Sequence, residues 1–216
     1  MASAGQERAE RALRVAISRG DMPPGYRLVE AELVSRTGVS RSAVRMAIDA
    51  LAAEGLVERI PNKGARVRVV STEEAIAITE CRVPLEGLLA RKAAERITDP
   101  EIDRLHAHLA TMTATVDSGD VQKYSELIQQ LYGMVAEAAR HPIAADLVGR
   151  LQAQLVRHQF RLSLRPGRPR VSLGGLTALV DAITSRDPER AEAAATTHLR
   201  GVITALSESS PSGGAA

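Results

Sequence analysis

Arg41 and Arg45, four residues apart with the hydroxyl of Ser42 between them, form the most chemically expressive group in this chain of 216 residues. Guanidinium forks and a hydroxyl on one helix face suit phosphate oxygens and the edges of bases. The plainer alternative is a solvent-facing amphipathic helix on which the two arginines only confer solubility. A second group lies in the turn Pro61-Asn62-Lys63-Gly64, where a lysine and a glycine share a hairpin tip. Glycine there lets the backbone come close to a phosphate or a minor groove. Other chemistry finds no support. Cys81 is the single cysteine, so neither an internal disulfide nor a cysteine zinc cage is available. No glycine-rich phosphate loop and no activated serine or cysteine motif supports the rival reading, an enzyme with an appended nucleic-acid module.

The elements that position these groups must be mostly helical. Aromatic residues make up 2% of the chain, while Ala and Leu dominate, which favours helices over all-β sandwiches. Hydrophobic residues at 44% and charged residues at 25% are ordinary for a globular chain. No run approaches the roughly 20 apolar residues of a membrane helix. Met1 to Glu10 also lacks the apolar core of a secretory signal, so a cytoplasmic protein with no membrane partner is expected. The formal net charge of +2 is unevenly spread. Residues 1–70 carry eleven arginines and Lys63 against eight acids, a net of +4, and the remainder carries −2. A basic module joined to a slightly acidic one suggests a polyanion partner, although a solvated face gives the same count.

In the basic module a first helix is expected over Arg8–Arg19, with Ala12, Leu13, Ala16 and Ile17 on one face, ended by Pro23-Pro24-Gly25. A short helix over Glu30–Thr37 turns Leu33 and Val34 inward. Gly38-Val39 then forms a turn, and Ser40 caps a third helix running to Glu54. Val44, Ala47, Ile48 and Leu51 follow the helical period, and Arg41, Ser42 and Arg45 lie about 100° or more from that stripe. A strand over 55–60, the turn at 61–64 and an alternating strand over Ala65–Val70 complete a winged helix-turn-helix of three helices and a β-hairpin wing. A recognition helix of this kind places its first turns in the major groove.

The strings Pro23-Pro24-Gly25, Leu28-Val29-Glu30, Gly38 to Arg45, Leu51 to Val57 and Pro61 to Ala65 resemble the GntR family of bacterial transcription factors. The resemblance implies a regulator, usually a repressor, of double-stranded operator DNA. It implies that Ser40, Arg41, Ser42 and Arg45 contact the operator and that Gly64, beside Lys63, sits at the wing tip. Met46 stands where members usually carry Glu, and Val34 where a small residue is usual; neither is expected to touch bases.

From residue 71 the pattern is all helical. A long helix opens at Ser71-Thr72-Glu73-Glu74 and runs to about Arg96, with a kink expected at Pro84. Helices over 99–116, 121–139, 142–162, 173–185 and 188–207 follow, with a loop at Arg165–Pro169, giving a bundle of six or seven. Residues 208–216 read as a disordered tail. Glu80 to Glu86 and Asp187 to Leu199 resemble the ends of the FCD effector domain of the FadR branch, which implies a helical bundle around a cavity and a homodimer.

Many FCD domains hold a divalent metal through one Asp and three His. Aligned on that pattern, the positions become Ile128, Tyr132, Leu176 and His198, and only His198 keeps a usual ligand. No metal and no cofactor is therefore expected. Arg82, Tyr132 and His198 remain as candidate effector contacts, with Ile128 and Leu176 as an apolar wall. Arg82 precedes Glu86 by one turn, so it reads either as an intrahelical ion pair or as a clamp on an organic acid. Tyr132 and His198 read equally as core residues. His106, His108, His141 and His158 are assigned to the surface. The remaining alternative is a helical domain that dimerises the protein and senses nothing.

Overall fold

The computed structural model describes residues 3–61 and 63–208. The expected tail from 209 onward and Asn62 of the wing turn lie outside the described residues. The chain is mostly α-helical and divides between Ser71 and Thr72 into two compact units.

The first unit contains α1 (Ala4–Arg19), β1 (Arg27–Leu28), α2 (Glu30–Thr37), α3 (Arg41–Ala53), β2 (Val57–Ile60) and β3 (Gly64–Val67). It is a winged helix-turn-helix. Ser3 caps α1 by accepting the Gln6 N–H at 3.2 Å, so this helix starts four residues before the expected Arg8. Its buried face is Ala9, Leu13 and Ala16, while Ala12, expected inside, is exposed. The three strands order as β1-β3-β2, both pairings antiparallel. β1 escaped the sequence reading because two residues carry no periodicity. It ends the hairpin's isolation by pairing Arg27 with Arg66 and Leu28 with Ala65. β3 stops at Val67, short of the expected Val70, and Val69 is exposed.

The second unit is a bundle of six helices: α4 (Thr72–Arg96), α5 (Asp99–Ser118), α6 (Val121–Ala139), α7 (Pro142–Ser163), α8 (Arg168–Thr184) and α9 (Pro188–Ser207). Proline stands in the first turn of α5, α7, α8 and α9, where its missing N–H costs nothing. α8 begins at Arg168 and not at Leu173, because Gly167 takes a left-handed conformation and Pro169 fits the opening turn. Side chains of Asp120, His141 and Asp187 cap α6, α7 and α9. α4 continues as one helix through Pro84.

α4 packs against α9, α6 and α7, and α8 closes the bundle against α9 and α5. Few aromatics are needed because small residues bring the backbones together: Ala90, Ala93 and Ala94 of α4 are buried, as are Ala191 and Ala195 of α9. Gly87 sits in the same seam. A Cβ built there would lie 3.4 Å from Glu192 Cγ and 3.6 Å from Thr196 Oγ1 of α9, which is ordinary contact with no room beyond it. Gly87→Ala should therefore be tolerated, whereas Gly87→Val should destabilise the bundle by about 1–3 kcal/mol. Denaturant unfolding of the two variants checks this contrast.

Candidate functional site

The basic unit presents α3 by its first turn. Ser40 stands at the N-cap, accepts the Ala43 N–H at 3.2 Å, and lies 3.0 Å from the Ser42 hydroxyl. The turn before it is fixed from α1, where Arg8 donates Nη2 to the carbonyls of Thr37 at 2.8 Å and Gly38 at 2.9 Å. Gly38 is left-handed, with φ of 65°, and a Cβ on it would meet Arg8 Nη2 at 3.2 Å. Ala43, Val44, Ala47, Ile48 and Leu51 bury one face of α3, and Arg41, Ser42 and Arg45 are exposed on the other.

Neither arginine is left to wander. Arg41 Nε donates to Glu30 Oε2 at 2.9 Å, and Arg45 Nε donates to both carboxylate oxygens at 2.9 and 3.0 Å. The hydrogen bond from Arg45, then that from Arg41, holds the Glu30 carboxyl below the usual range. Exposed ion pairs contribute only about 0–1 kcal/mol each. With the arginine side chains 70% and 60% exposed, the clamp directs them more than it stabilises the fold. Sequence reasoning placed Glu30 within a family string but missed its reach across to α3, and it read Arg8 only as the start of the first helix.

At the wing, Ile60 faces Gly64 and the Lys63 N–H donates to the Ile60 carbonyl at 3.0 Å. Gly64 has φ of 89°, a conformation that favours glycine, and the space beside it is open. Lys63 is exposed. Behind the tip, Arg66 lies between Arg27 and Glu58 in register, and its Nε donates to Glu58 at 2.6 Å.

In the helical unit, Arg82, Tyr132 and His198 come together around one cavity, joined by Ile128, Leu162, Val202 and Arg168. Ser125, Ser163, Ser172 and Gln159 supply the rest of its polar lining. Leu176 does not line it: it is fully buried in the hydrophobic core, which corrects its expected place in the wall. Arg82 is 1% exposed. Its Nε donates to Glu86 Oε1 at 2.7 Å, and its Nη2 lies 2.7 Å from the same oxygen, yet neither Nη1 nor Nη2 makes a hydrogen bond of good geometry. The ion pair and the cavity position thus hold together. Gln152 Nε2 donates to the same Glu86 oxygen at 3.1 Å, and the guanidinium carbon stands 5.6 Å from the Tyr132 ring centre. Burial works against the Arg82 charge, but Glu86 and Tyr132 outweigh it and hold the proton more firmly than usual.

Burial, and then the neighbouring Glu86 charge, push the Tyr132 phenol upward, so it stays protonated. Burial, reinforced by Arg168 and Arg82, depresses the His198 imidazole to about 4. Gly175 makes room for that ring, since a Cβ there would lie 2.6 Å from His198 Nδ1. The donor set does not fit a divalent metal: one neutral imidazole and a protonated phenol share the space with two guanidinium groups. Among the described residues, no three His, Cys, Asp or Glu side chains gather as a metal site. Two histidines assigned to the surface are structural. His108 Nε2 is 2.8 Å from the Leu127 carbonyl, and His141 Nδ1 accepts the Ala144 N–H at 3.2 Å.

A winged helix with a directed pair of arginines, in one chain with a helical bundle around a polar cavity, defines a transcriptional regulator rather than an enzyme. Residues 6–67 match the bacterial regulatory proteins of the gntR family, and residues 77–201 match the FCD domain. The chain belongs to the GntR family, in the form that carries an FCD domain. Among its relatives is the HTH-type transcriptional repressor RspR of Escherichia coli, 27% identical over 82% of this chain and 78% of that one. Another is the probable D-xylose utilization operon transcriptional repressor of Paenarthrobacter nicotinovorans, 26% identical over 89% and 84%. The fold is shared with E. coli McbR/YncC, at a TM-score of 0.84 and 20% identity over 95% and 98% of the two chains. It is shared too with a putative GntR regulator from Rhodococcus, at 0.75 and 20% identity over 97% and 100%. No described helix is long and apolar enough to cross a membrane.

Two outcomes follow. Glu30→Gln should raise affinity for random-sequence duplex by about three- to tenfold, the effect of removing one nearby negative charge. It should also narrow the gap to a selected site, read by fluorescence anisotropy on both duplexes. His198 supplies a pH signature. An unfolded histidine takes up its proton near 6.5, while the folded one does so at about 4. Between those values the unfolded chain binds the extra proton, so stability falls as pH drops through this window, by on the order of 3 kcal/mol in all. His198→Gln should remove that part of the decline in denaturant midpoints measured against pH.

Proposed function

We propose that the protein is a cytoplasmic repressor that binds a pseudo-palindromic operator as a homodimer and releases or retains it according to a small-molecule effector in the helical unit. The observation that carries the DNA-binding reading is the capped first turn of α3, with Arg41, Ser42 and Arg45 exposed and both guanidinium groups held by Glu30. Ser40, Arg41, Ser42 and Arg45 then reach the major groove, and Lys63 and Gly64 approach the backbone or minor groove. Pairing of two chains is supported by large apolar side chains left exposed on the helical unit, Ile143 at 71% and Leu147 at 45% one turn apart on α7, and Leu164 and Val171 beyond. A two-fold dimer reads half-sites spaced about one helical turn of DNA apart.

The effector reading rests on the cavity that Arg82, Tyr132 and His198 share. An effector switches the protein only if it binds one dimer state better than the other, by a few kcal/mol for a decisive change. Selection of bound sequences from random duplex tests the whole reading. The expected result is a two-fold motif, with Arg45→Ala weakening the selected site by about 1–3 kcal/mol. Recovery of no motif, or equal binding by the variant, would overturn it.

A further inference from the structure

We propose that Met46 is a base-reading residue that selects thymine, its thioether chain resting on the C5-methyl group of one base pair in each half-site. The inference rests on the reading of α3 as the helix that enters the major groove. It runs contrary to the expectation from sequence that Met46 touches no base.

Placement gives the first argument. At about 100° per residue, the five buried residues of α3 centre on one direction, and Ser42, Arg45, Met46 and Asp49 fall within about 50° of the opposite one. All four are exposed, Met46 at 42%. Their spacing is i, i+3, i+4 and i+7, the spacing at which the groove helix of a homeodomain presents its base-reading side chains. Arg45 and Met46 flank the line from Ser42 to Asp49 on opposite sides. A major groove about 12 Å wide encloses a helix face of that breadth, so a docking that brings Ser42 and Arg45 to bases brings Met46 with them. Exposure alone would say little, because single apolar residues are common on surfaces. Val15 and Val29 are about as exposed, but they lie on α1 and at the cap of α2, away from this face.

Chemistry gives the second. The charged neighbours of Met46 are already engaged. Arg45 donates Nε to Glu30, and Asp49, the one acid of α3, accepts from Arg59 Nε of β2 at 2.6 Å. Met46 itself has no hydrogen to donate and a sulfur that accepts only weakly, so it cannot tell bases apart by hydrogen bonds. What the major groove offers an apolar side chain is the thymine methyl, the only methyl group among the base edges. Methionine suits that contact, since its three rotatable bonds let the chain settle on a methyl that the helix axis only approximately faces.

The test uses the full chain and the site selected from random duplex. Each thymine of that site is replaced in both half-sites by uracil, which keeps the base pairing and lacks only the methyl, and affinity is read by fluorescence anisotropy. One position is expected to weaken wild-type binding by about fourfold per half-site, the effect of burying one methyl. Met46→Ala should lose a similar factor on the thymine site and become indifferent to uracil there, whereas Met46→Leu should keep most of the sensitivity. Because Met46 is exposed, Met46→Ala should leave the melting temperature nearly unchanged, which separates lost contact from lost folding. Uracil without effect at every thymine, or an equal uracil penalty in wild type and Met46→Ala, would overturn the inference while leaving DNA recognition by α3 in place. A selected motif that contains no thymine would do the same. Recovery of no motif would overturn the reading of α3 and the inference together.

Discussion

A guanidinium sealed inside a helical bundle must be answered where it stands, because it cannot neutralise itself by losing a proton. Arg82 imposes that requirement on everything around it. Glu86 supplies the counter-charge from the next turn of α4, and Gln152 reaches from α7 to fix the carboxylate that does so. Tyr132 turns its ring toward the cation. His198, which would add a further positive charge, stays neutral instead. The remaining polar lining is the Arg168 guanidinium, three serine hydroxyls and the Gln159 amide. Among the described residues no metal-binding set gathers there, and a divalent ion would have to share one small volume with two guanidinium groups.

The basic unit handles charge by the opposite arrangement. Its arginines lie outside, where water already solvates them, so the problem is direction and not neutralisation. Glu30 gathers Arg41 and Arg45 into one carboxylate, and Arg8 sets the turn that decides where α3 begins. Buried Val44, Ala47, Ile48 and Leu51 anchor the helix from behind. Each of the two units therefore contains an acid that organises arginines, one from within the core and one from the surface.

Much of this was legible in the sequence because helices announce themselves by period and by caps. Glu30–Thr37, the cap at Ser40, Val121–Ala139 and Pro188–Ser207 fall where residue spacing puts them. The misses have physical causes. β1 is two residues long and exists only through its partner β3, which no local pattern reveals. The start of α8 hinges on the left-handed Gly167, and a Pro-Gly-Arg-Pro string reads as loop before it reads as an opening turn. Arg41, Arg45, Arg82 and His198 could be singled out because a family string carried them, and the structure exposes the first two on α3 and sets the last two on one cavity. Arg168 and Glu30 act through distances set by tertiary packing. Leu176, aligned to a ligand position, points into the core because its side of α8 is the apolar one.

The carboxylate of Glu30 has a consequence for the thermodynamics of complex formation. DNA holds a condensed layer of cations, and a protein that neutralises phosphates sets those ions free, which is why affinity falls as salt rises. On the proposed reading, Arg41 and Arg45 would not arrive at the duplex bare, because Glu30 comes with them. Their Nε atoms are held by Glu30, so that carboxylate would stay close to any phosphate their Nη groups take. Affinity should thus respond to ionic strength less steeply than a count of the arginines on α3 would suggest. On that reading the protein would give up some indiscriminate grip on any duplex, and what it kept would be weighted toward base pairs that reward arginines already aimed.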